Sequence, residues 1–168
     1  MATHRIPIFG WQTGPDASGN IFIENYIVKA TNDIWKHFPL TLNDTATRLG
    51  IYGVFNIPKN YVGTAKIIVH WTSTATSGDV EWDIDYRAIG GDDTESLDQA
   101  TAQETVNIND TAPSAVNERM TATLVLTSAN IVADDTLEWG LFRDGTDGGD
   151  TIAAAVTVHD VLFEYADA

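Results

Sequence analysis

Hydrophobic and polar residues alternate along most of the chain, and this alternation predicts β-strands. Every second residue from Ala65 to Trp71 is apolar, and from Val80 to Tyr86 apolar residues alternate with acidic ones. A period of two turns one row of side chains toward a core and the other toward solvent, which is typical of antiparallel sheets. Turn residues such as Asp, Asn and Gly separate these stretches, so the sequence favours many short strands over long helices.

Eight strands can be assigned from the alternation and from the turn residues between them. They are Ile34–Leu40, Arg48–Asn56, Ala65–Thr72, Val80–Ile89, Gln103–Ile108, Glu118–Leu126, Thr136–Arg143 and Thr151–Tyr165. In the last strand the apolar parity changes near His159 and Asp160, which predicts a β-bulge. The segment Asp93–Gln103 contains one large apolar residue, Leu97, so we expect at most a short surface turn of helix there.

These elements predict an all-β fold, an antiparallel two-sheet β-sandwich. A jelly roll of about eight strands suits them best, and an immunoglobulin-like sandwich is the main alternative, although 168 residues are many for it. The predicted core consists of residues that share the apolar parity of their strands. They are Ile67, Val69, Trp71, Val80, Trp82, Ile84, Tyr86, Leu124, Leu126, Leu137, Trp139 and Leu141.

The first 33 residues do not follow this pattern, because Pro and Gly interrupt their apolar stretches. They are too apolar for a free tail, yet too irregular for a layer of the core. We therefore predict an extended N-terminal arm, residues 1–33, and a jelly-roll sandwich domain, residues 34–168. The arm residues expected to contact a partner are Ile6, Ile8, Phe9, Trp11, Phe22 and Tyr26.

Charge and composition exclude several classes of partner. The net charge is -15, and residues 1–78 carry six basic and four acidic residues, so the remaining ninety carry -17. Such an acidic chain is not expected to bind nucleic acid, whose phosphates require cations. There is no cysteine, no signal peptide is recognisable, and no apolar run is long enough to cross a bilayer. We expect a protein that is made in the cytoplasm and does not enter a membrane.

Two groups of acidic residues are candidates for chemistry. Asp83 and Asp85 project to one face of a single strand, together with Glu81 and Arg87. A glycosidase needs two carboxylates across a cleft, so a solvated sheet face is the simpler interpretation. Asp144, Asp147 and Asp150 lie in a glycine-rich loop that could supply oxygen ligands to Ca²⁺. The same residue types build tight turns, so we expect a hairpin turn without metal, and no cofactor.

The five tryptophans could either fill the core or stack on sugars. Trp71, Trp82 and Trp139 share the parity of aliphatic neighbours, which favours the core. Trp11 and Trp35 carry no such signal, and their position near the arm favours contact with protein over contact with sugar.

Several motifs resemble the jelly-roll domains of tailed-bacteriophage virion proteins, over roughly residues 48–165. The motifs are Val54-Phe-Asn-Ile-Pro58, Tyr61-Val-Gly63, Trp82-Asp-Ile-Asp-Tyr86, Asp134-Asp-Thr-Leu137, Leu141-Phe-Arg-Asp144, Val156-Thr-Val158 and Phe163-Glu-Tyr165. The resemblance implies a non-enzymatic structural protein of the virion, such as a capsid decoration (cement) protein or a component of a tail or fibre, and we expect a capsid decoration protein. Its implied partners are the major capsid protein and neighbouring copies in a homotrimer, and it brings no catalytic residues.

Two other functions stay open. One is a carbohydrate- or receptor-binding module associated with a tail or fibre, which would show clustered exposed aromatic side chains beside Asn, Asp or Arg. The other is a β-sandwich lyase or hydrolase, which would show acids, His or Tyr converging in a cleft.

Overall fold

The computed structural model describes residues 1–8, 39–91 and 98–168, and the backbone alone of residues 12–13 and 21–23. Within these residues the chain forms eleven strands and one turn of 3₁₀ helix, Ser128–Asn130. The strands are β1 (Thr3–Pro7), β2 (Gln12–Thr13), β3 (Ile21–Ile23), β4 (Leu40–Leu42), β5 (Arg48–Asn56), β6 (Tyr61–Ser73), β7 (Asp79–Ile89), β8 (Glu104–Thr111), β9 (Met120–Leu126), β10 (Thr136–Asp144) and β11 (Val156–Asp167). In the described part of the chain, no helix is long and apolar enough to cross a membrane.

The strands form two antiparallel sheets. Sheet A has the order β3-β4-β11-β6-β9, with β1 also paired to β11, and sheet B has the order β2-β5-β10-β7-β8. The central neighbours in each sheet are distant in sequence, since β10 lies between β5 and β7, and β11 lies between β4 and β6. Two pairs, β3 with β4 and β7 with β8, join consecutive strands. The predicted all-β fold with two antiparallel sheets is confirmed.

The core lies between the two sheets, where the apolar parity of the strands predicted it. All twelve predicted core residues are buried. Trp71 of sheet A packs against Trp82 of sheet B, with ring centroids 5.9 Å apart in an edge-to-face arrangement. Trp139 is also buried, so the three tryptophans assigned to the core belong to it.

Most strand assignments from the sequence are confirmed, with differences at their ends. The bounds of β5 agree with the prediction. Strand β11 begins at Val156 and not at the predicted Thr151, and residues 151–155 form no strand. The pairing of β11 with β6 shifts by one residue between Val158 and Asp160, which confirms the predicted bulge. Residues 98–103 are not helical, and the rest of the predicted turn of helix lies outside the described residues.

The first eight residues belong to the sandwich, which corrects the prediction of a separate arm for them. Strand β1 pairs with β11 along its whole length, and the Ile8 amide donates to the Val161 carbonyl oxygen at 2.9 Å. Ile8 is 1% exposed in the core, so it cannot contact a partner, and Ile6 is partly buried against the core. Short strands such as β1 gain their stability from the neighbouring strand, a contact that the local sequence does not show.

The remaining arm residues are not tested. Phe9, Trp11 and Tyr26 lie outside the described residues, as does Trp35, and for Phe22 only the backbone of β3 is described. The arm boundary at residue 33 stays a prediction.

Candidate functional site

An open groove of about 570 Å³ lies on the outer face of sheet B. Its floor is formed by residues 52–54 of β5, 138–139 of β10 and 85–87 of β7, and its wall by residues 99–102. Backbone contacts fix this wall beside β7, since the Gln103 amide donates to the Tyr86 carbonyl oxygen at 2.9 Å. The groove falls within the size range of small-molecule ligand sites. We call it the sheet B groove.

Two aromatic rings lie beside this groove because glycines leave room for them. A Cβ atom at Gly50 would come within 2.2 Å of the Phe142 ring, and one at Gly140 within 2.9 Å of it. The buried Phe142 ring therefore lies over the backbone of Gly50 and Gly140. The Tyr52 ring packs against it edge-to-face, with the two ring centroids 5.5 Å apart. Tyr52 is 43% exposed and Val54 is 55% exposed. Together Tyr52 and Val54 form an apolar edge along the groove.

Arginine–carboxylate pairs supply the charged groups of the groove and of the sheet surface beside it, where Arg48 and Asp83 lie. Arg48 donates to both oxygens of Asp85, at 2.7 and 2.9 Å, and to Asp83 at 2.9 Å. Its guanidinium carbon lies 3.7 Å from the centre of the Phe142 ring, within the range of a cation–π contact. Two residues beyond Asp85 along β7, Arg87 donates to Glu138 of the neighbouring strand β10. Guanidinium and carboxylate groups are thus held in fixed orientations across three strands.

The pairing controls the protonation of Asp85. Burial raises the pKa of Asp85, but hydrogen bonds from Arg48 and Thr105 outweigh this effect, and the net shift is downward. Burial also raises the pKa of Asp83, and there the opposing contribution of Arg48 is the smaller one, so the net shift is upward. Asp85 therefore remains a charged hydrogen-bond acceptor over a wide range of pH.

The acidic residues of β7 share the outer face of sheet B, as their parity predicted, but they are not simply solvated. Glu81 is 4% exposed and Asp83 is 7% exposed. Burial and the nearby carboxylates of Asp147 and Asp83 raise the pKa of Glu81, and its Oε2 atom has no hydrogen-bond partner among the described residues. The prediction of a solvated face is therefore wrong for these two side chains.

The aspartates of the glycine-rich loop have partners within the protein. Asp144 accepts from Thr146, and Asp147 accepts from the Gly149 amide at 2.7 Å, as in tight turns. Asp150 accepts two hydrogen bonds from Arg143, at 2.7 and 2.9 Å. In the part of the chain that the structure describes, there is no group of three or more acidic or histidine side chains suited to a metal ion.

Sequence reasoning found part of this site and missed the rest. It placed Asp83 and Asp85 on one outward face, but it did not identify Tyr52, Arg48 or Glu138. A signal for them exists, because Tyr52 and Val54 hold the parity opposite to Leu49 and Ile51 in β5. What brings Tyr52 beside Glu138 is the strand order β5-β10-β7, which the sequence alone does not fix.

The chain is similar to solved structures of carbohydrate-binding modules at the level of the fold. No protein-family model matches the sequence, and no curated protein matches it. A family 35 carbohydrate-binding module from Clostridium thermocellum is 11% identical, with a TM-score of 0.53 and 99% of each chain covered. The CBM22-1 xylan-binding domain of Paenibacillus barcinonensis Xyn10C is 12% identical, with a TM-score of 0.51, 95% of this chain and 87% of that chain covered.

A similar sandwich also occurs inside a larger enzyme. A family 43 arabinoxylan arabinofuranohydrolase from Bacillus subtilis is 12% identical, with a TM-score of 0.53, and the match covers 97% of this chain but 27% of that one. Identities this low show a common fold and nothing finer. They support the jelly-roll part of the resemblance to phage virion domains, and they carry no link to a virion. The chain is a jelly-roll β-sandwich of the kind found in carbohydrate-binding modules.

Proposed function

We propose that this chain is a non-catalytic carbohydrate-binding module that binds an oligosaccharide segment in the sheet B groove. The observation that carries the proposal is the combination of an exposed ring, Tyr52, with oriented charged groups in an open groove of about 570 Å³. The apolar face of a sugar ring stacks on an aromatic side chain, and its hydroxyl groups pair with carboxylates and guanidinium groups. The sequence left this function open beside capsid decoration.

The chemistry of the groove favours binding over catalysis. A general acid for glycoside hydrolysis needs a carboxyl group with a raised pKa across from a second carboxylate. Asp85 has a lowered pKa and is held by Arg48, and Glu138 is paired with Arg87. Asp83 has a raised pKa, but it is 7% exposed, projects from the same strand as Asp85 and is bonded to the same arginine, so these two carboxyl groups do not face each other across a cleft. These pairs leave the carboxylates as fixed acceptors for hydroxyl groups. Solved structures of the same fold, including one described as a xylan-binding domain, support this proposal.

The proposal can be tested with a panel of neutral and acidic oligosaccharides and polysaccharides, measured by glycan array and isothermal titration calorimetry. We expect binding by the wild-type chain and at least a tenfold loss with Tyr52→Ala, because this substitution removes the exposed ring on which a sugar would stack. The Tyr52→Phe variant should retain most of the affinity, since it keeps the ring.

A matched pair of valines provides the control for position. Val54→Arg places a long side chain in the groove and should block binding. Val125→Arg makes the same change at a 61% exposed position on the outer face of sheet A and should leave binding unchanged. Equal affinities for the two variants would show that the sugar binds elsewhere.

Capsid decoration is the outcome that would replace this proposal. If no glycan binds and the purified chain attaches to phage capsid shells as a homotrimer, the structural role in a virion is the better explanation. If the chain binds a glycan and also copurifies with tails or fibres, a receptor-binding module of the virion reconciles the two functions.

A further inference from the structure

We infer that the sheet B groove selects neutral glycans and disfavours glycans that carry carboxylate or sulfate groups. This inference rests on the proposed function and adds the chemical class of the ligand. It follows from how the charges of the groove are arranged and already paired.

The described lining of the groove has more acidic than basic side chains. Asp85 and Glu138 line it with Arg87, which gives one net negative charge. Next to them on the same face lie Glu81 and Asp83, with Arg48 as the neighbouring cation. An acidic sugar in the groove would therefore face a negative potential.

Arg48 and Arg87 are both already engaged by carboxylates. Arg48 uses Nε, Nη1 and Nη2 for Asp83 and Asp85, and Phe142 packs against one face of its guanidinium group. Arg87 donates from Nε to Glu138. Recognition of a carboxylate or sulfate normally uses a bidentate arginine, and such a ligand could engage Arg48 in this way only by displacing Asp83 or Asp85.

Neutral hydroxyl groups suit the same arrangement. A hydroxyl group can donate to a carboxylate oxygen and accept from an N–H group, so it can join an existing pair without breaking it. The lowered pKa of Asp85 keeps that acceptor charged in neutral and weakly acidic solution. The paired carboxylates thus serve as acceptors for a neutral sugar and as a repulsive element against an acidic one.

The test compares glycans that differ only in charge. The probes are hexasaccharides of glucose and galactose with β-1,4, β-1,3 and α-1,4 linkages, each together with its C6-oxidised form, which carries carboxylates. We expect a neutral form to bind and its oxidised form to bind at least tenfold more weakly. Raising the ionic strength should narrow this gap by screening the repulsion, and it should leave the neutral form unaffected.

Variants connect the selectivity to the groove. Glu138→Gln removes one carboxylate and releases Arg87, so the affinity ratio should shift toward the oxidised form by at least threefold. Asp85→Asn provides a second variant, should the first fold poorly as judged by circular dichroism. The control Glu118→Gln changes the net charge by the same amount in the turn before β9 of sheet A, outside the lining of the groove, and should leave the ratio unchanged.

The outcomes separate the inference from the function on which it rests. If an oxidised hexasaccharide binds as tightly as its neutral form, or more tightly, the selectivity is overturned while carbohydrate binding stands. If neither form of any hexasaccharide binds and the glycan array is also negative, the proposed function fails and the selectivity fails with it.

Discussion

At the scale of single residues, Arg143 is the most heavily constrained of the side chains described above. It is 1% exposed and donates to Asp150, Asp44 and the carbonyl oxygens of Ile152 and Ala154. Carboxylate and carbonyl oxygens around one point are also what a Ca²⁺ ion attracts, and here a guanidinium group takes that position. The arginine links the end of β10 to the segment before β11.

Replacing this arginine should therefore be costly. We expect Arg143→Met to lower the free energy of unfolding by about 3–5 kcal/mol, because it leaves Asp150 buried without its cation. Urea unfolding followed by tryptophan fluorescence measures this change. Lys59→Met serves as the control, since Lys59 is 87% exposed and pairs with Asp134 at 3.8 Å, and should cost less than about 1 kcal/mol. A similar small loss for Arg143→Met would contradict the structural role assigned to this side chain.

Two buried carboxylates should respond to pH in opposite directions. Hydrogen bonds from Lys66 and Arg5 lower the pKa of Glu164, whereas burial and neighbouring acids raise the pKa of Glu81. Glu164 thus adds stability above the usual glutamate pKa, and that stability is lost as the pH falls through its lowered pKa. Ionised Glu81 reduces stability at neutral pH, and the chain regains this stability as the pH falls through the raised pKa.

The matching substitutions test both signs. At pH 7 we expect Glu164→Gln to destabilise the protein and Glu81→Gln to stabilise it. Both differences from the wild type should shrink toward acidic pH, where the carboxyl groups become protonated. Urea unfolding between about pH 7 and pH 3 measures them, a range that contains the ordinary glutamate pKa. A stabilising effect that persists unchanged in acid would show that the charge of Glu81 is not its cause.

At the scale of elements, the N-terminal strand β1 is part of the structural framework. Arg5 reaches Glu164 at 2.6 Å, and Asp167 accepts from the Ala2 amide at 2.6 Å and contacts His4 at 2.8 Å. These contacts hold β1 against the C-terminal half of β11, so the two ends of the chain stabilise each other.

Loss of the apolar anchor of β1 should destabilise the whole sandwich. We expect Ile8→Ala to lower the free energy of unfolding by about 2–5 kcal/mol, the usual cost of a cavity in a packed core. Val62→Ala, at a 50% exposed position, should change it by no more than about 0.5 kcal/mol. If Ile8→Ala instead weakened only the binding of a partner and left the unfolding midpoint unchanged, a contact arm would be the better description of this segment.

The sequence reveals strands better than it reveals their partners. Alternation is a local property, and it is enough to locate β5, β7 and β10 and to assign Trp71 and Trp82 to the core. Strand order depends on contacts between distant segments, so neither the pairing of β1 with β11 nor the placement of Tyr52 and Glu138 in one groove can be read from the pattern. The burial of Glu81 is missed for the same reason, because it depends on the loop that follows β10.

At the scale of the whole molecule, the net charge of -15 opposes the compact state through self-repulsion. We expect the thermal midpoint at pH 7 to rise when the ionic strength increases from about 0.01 to 0.15 M, since the Debye length falls from about 30 to 8 Å. Differential scanning calorimetry in NaCl measures this. A midpoint that falls instead would mean that the ion pairs on the outer sheet faces contribute more than the overall repulsion.

The edge-to-face contact between Trp71 and Trp82 also gives the molecule an optical signature. Two indole rings this close couple their electronic transitions and should produce a paired positive and negative band in the far-ultraviolet circular dichroism spectrum. One ring belongs to each sheet, so the amplitude of this couplet reports how closely the two sheets are packed. A state that kept its strands but let the sheets separate would lose the couplet while retaining the signal of its backbone, which makes such a loosened sandwich distinguishable from both the native and the unfolded chain.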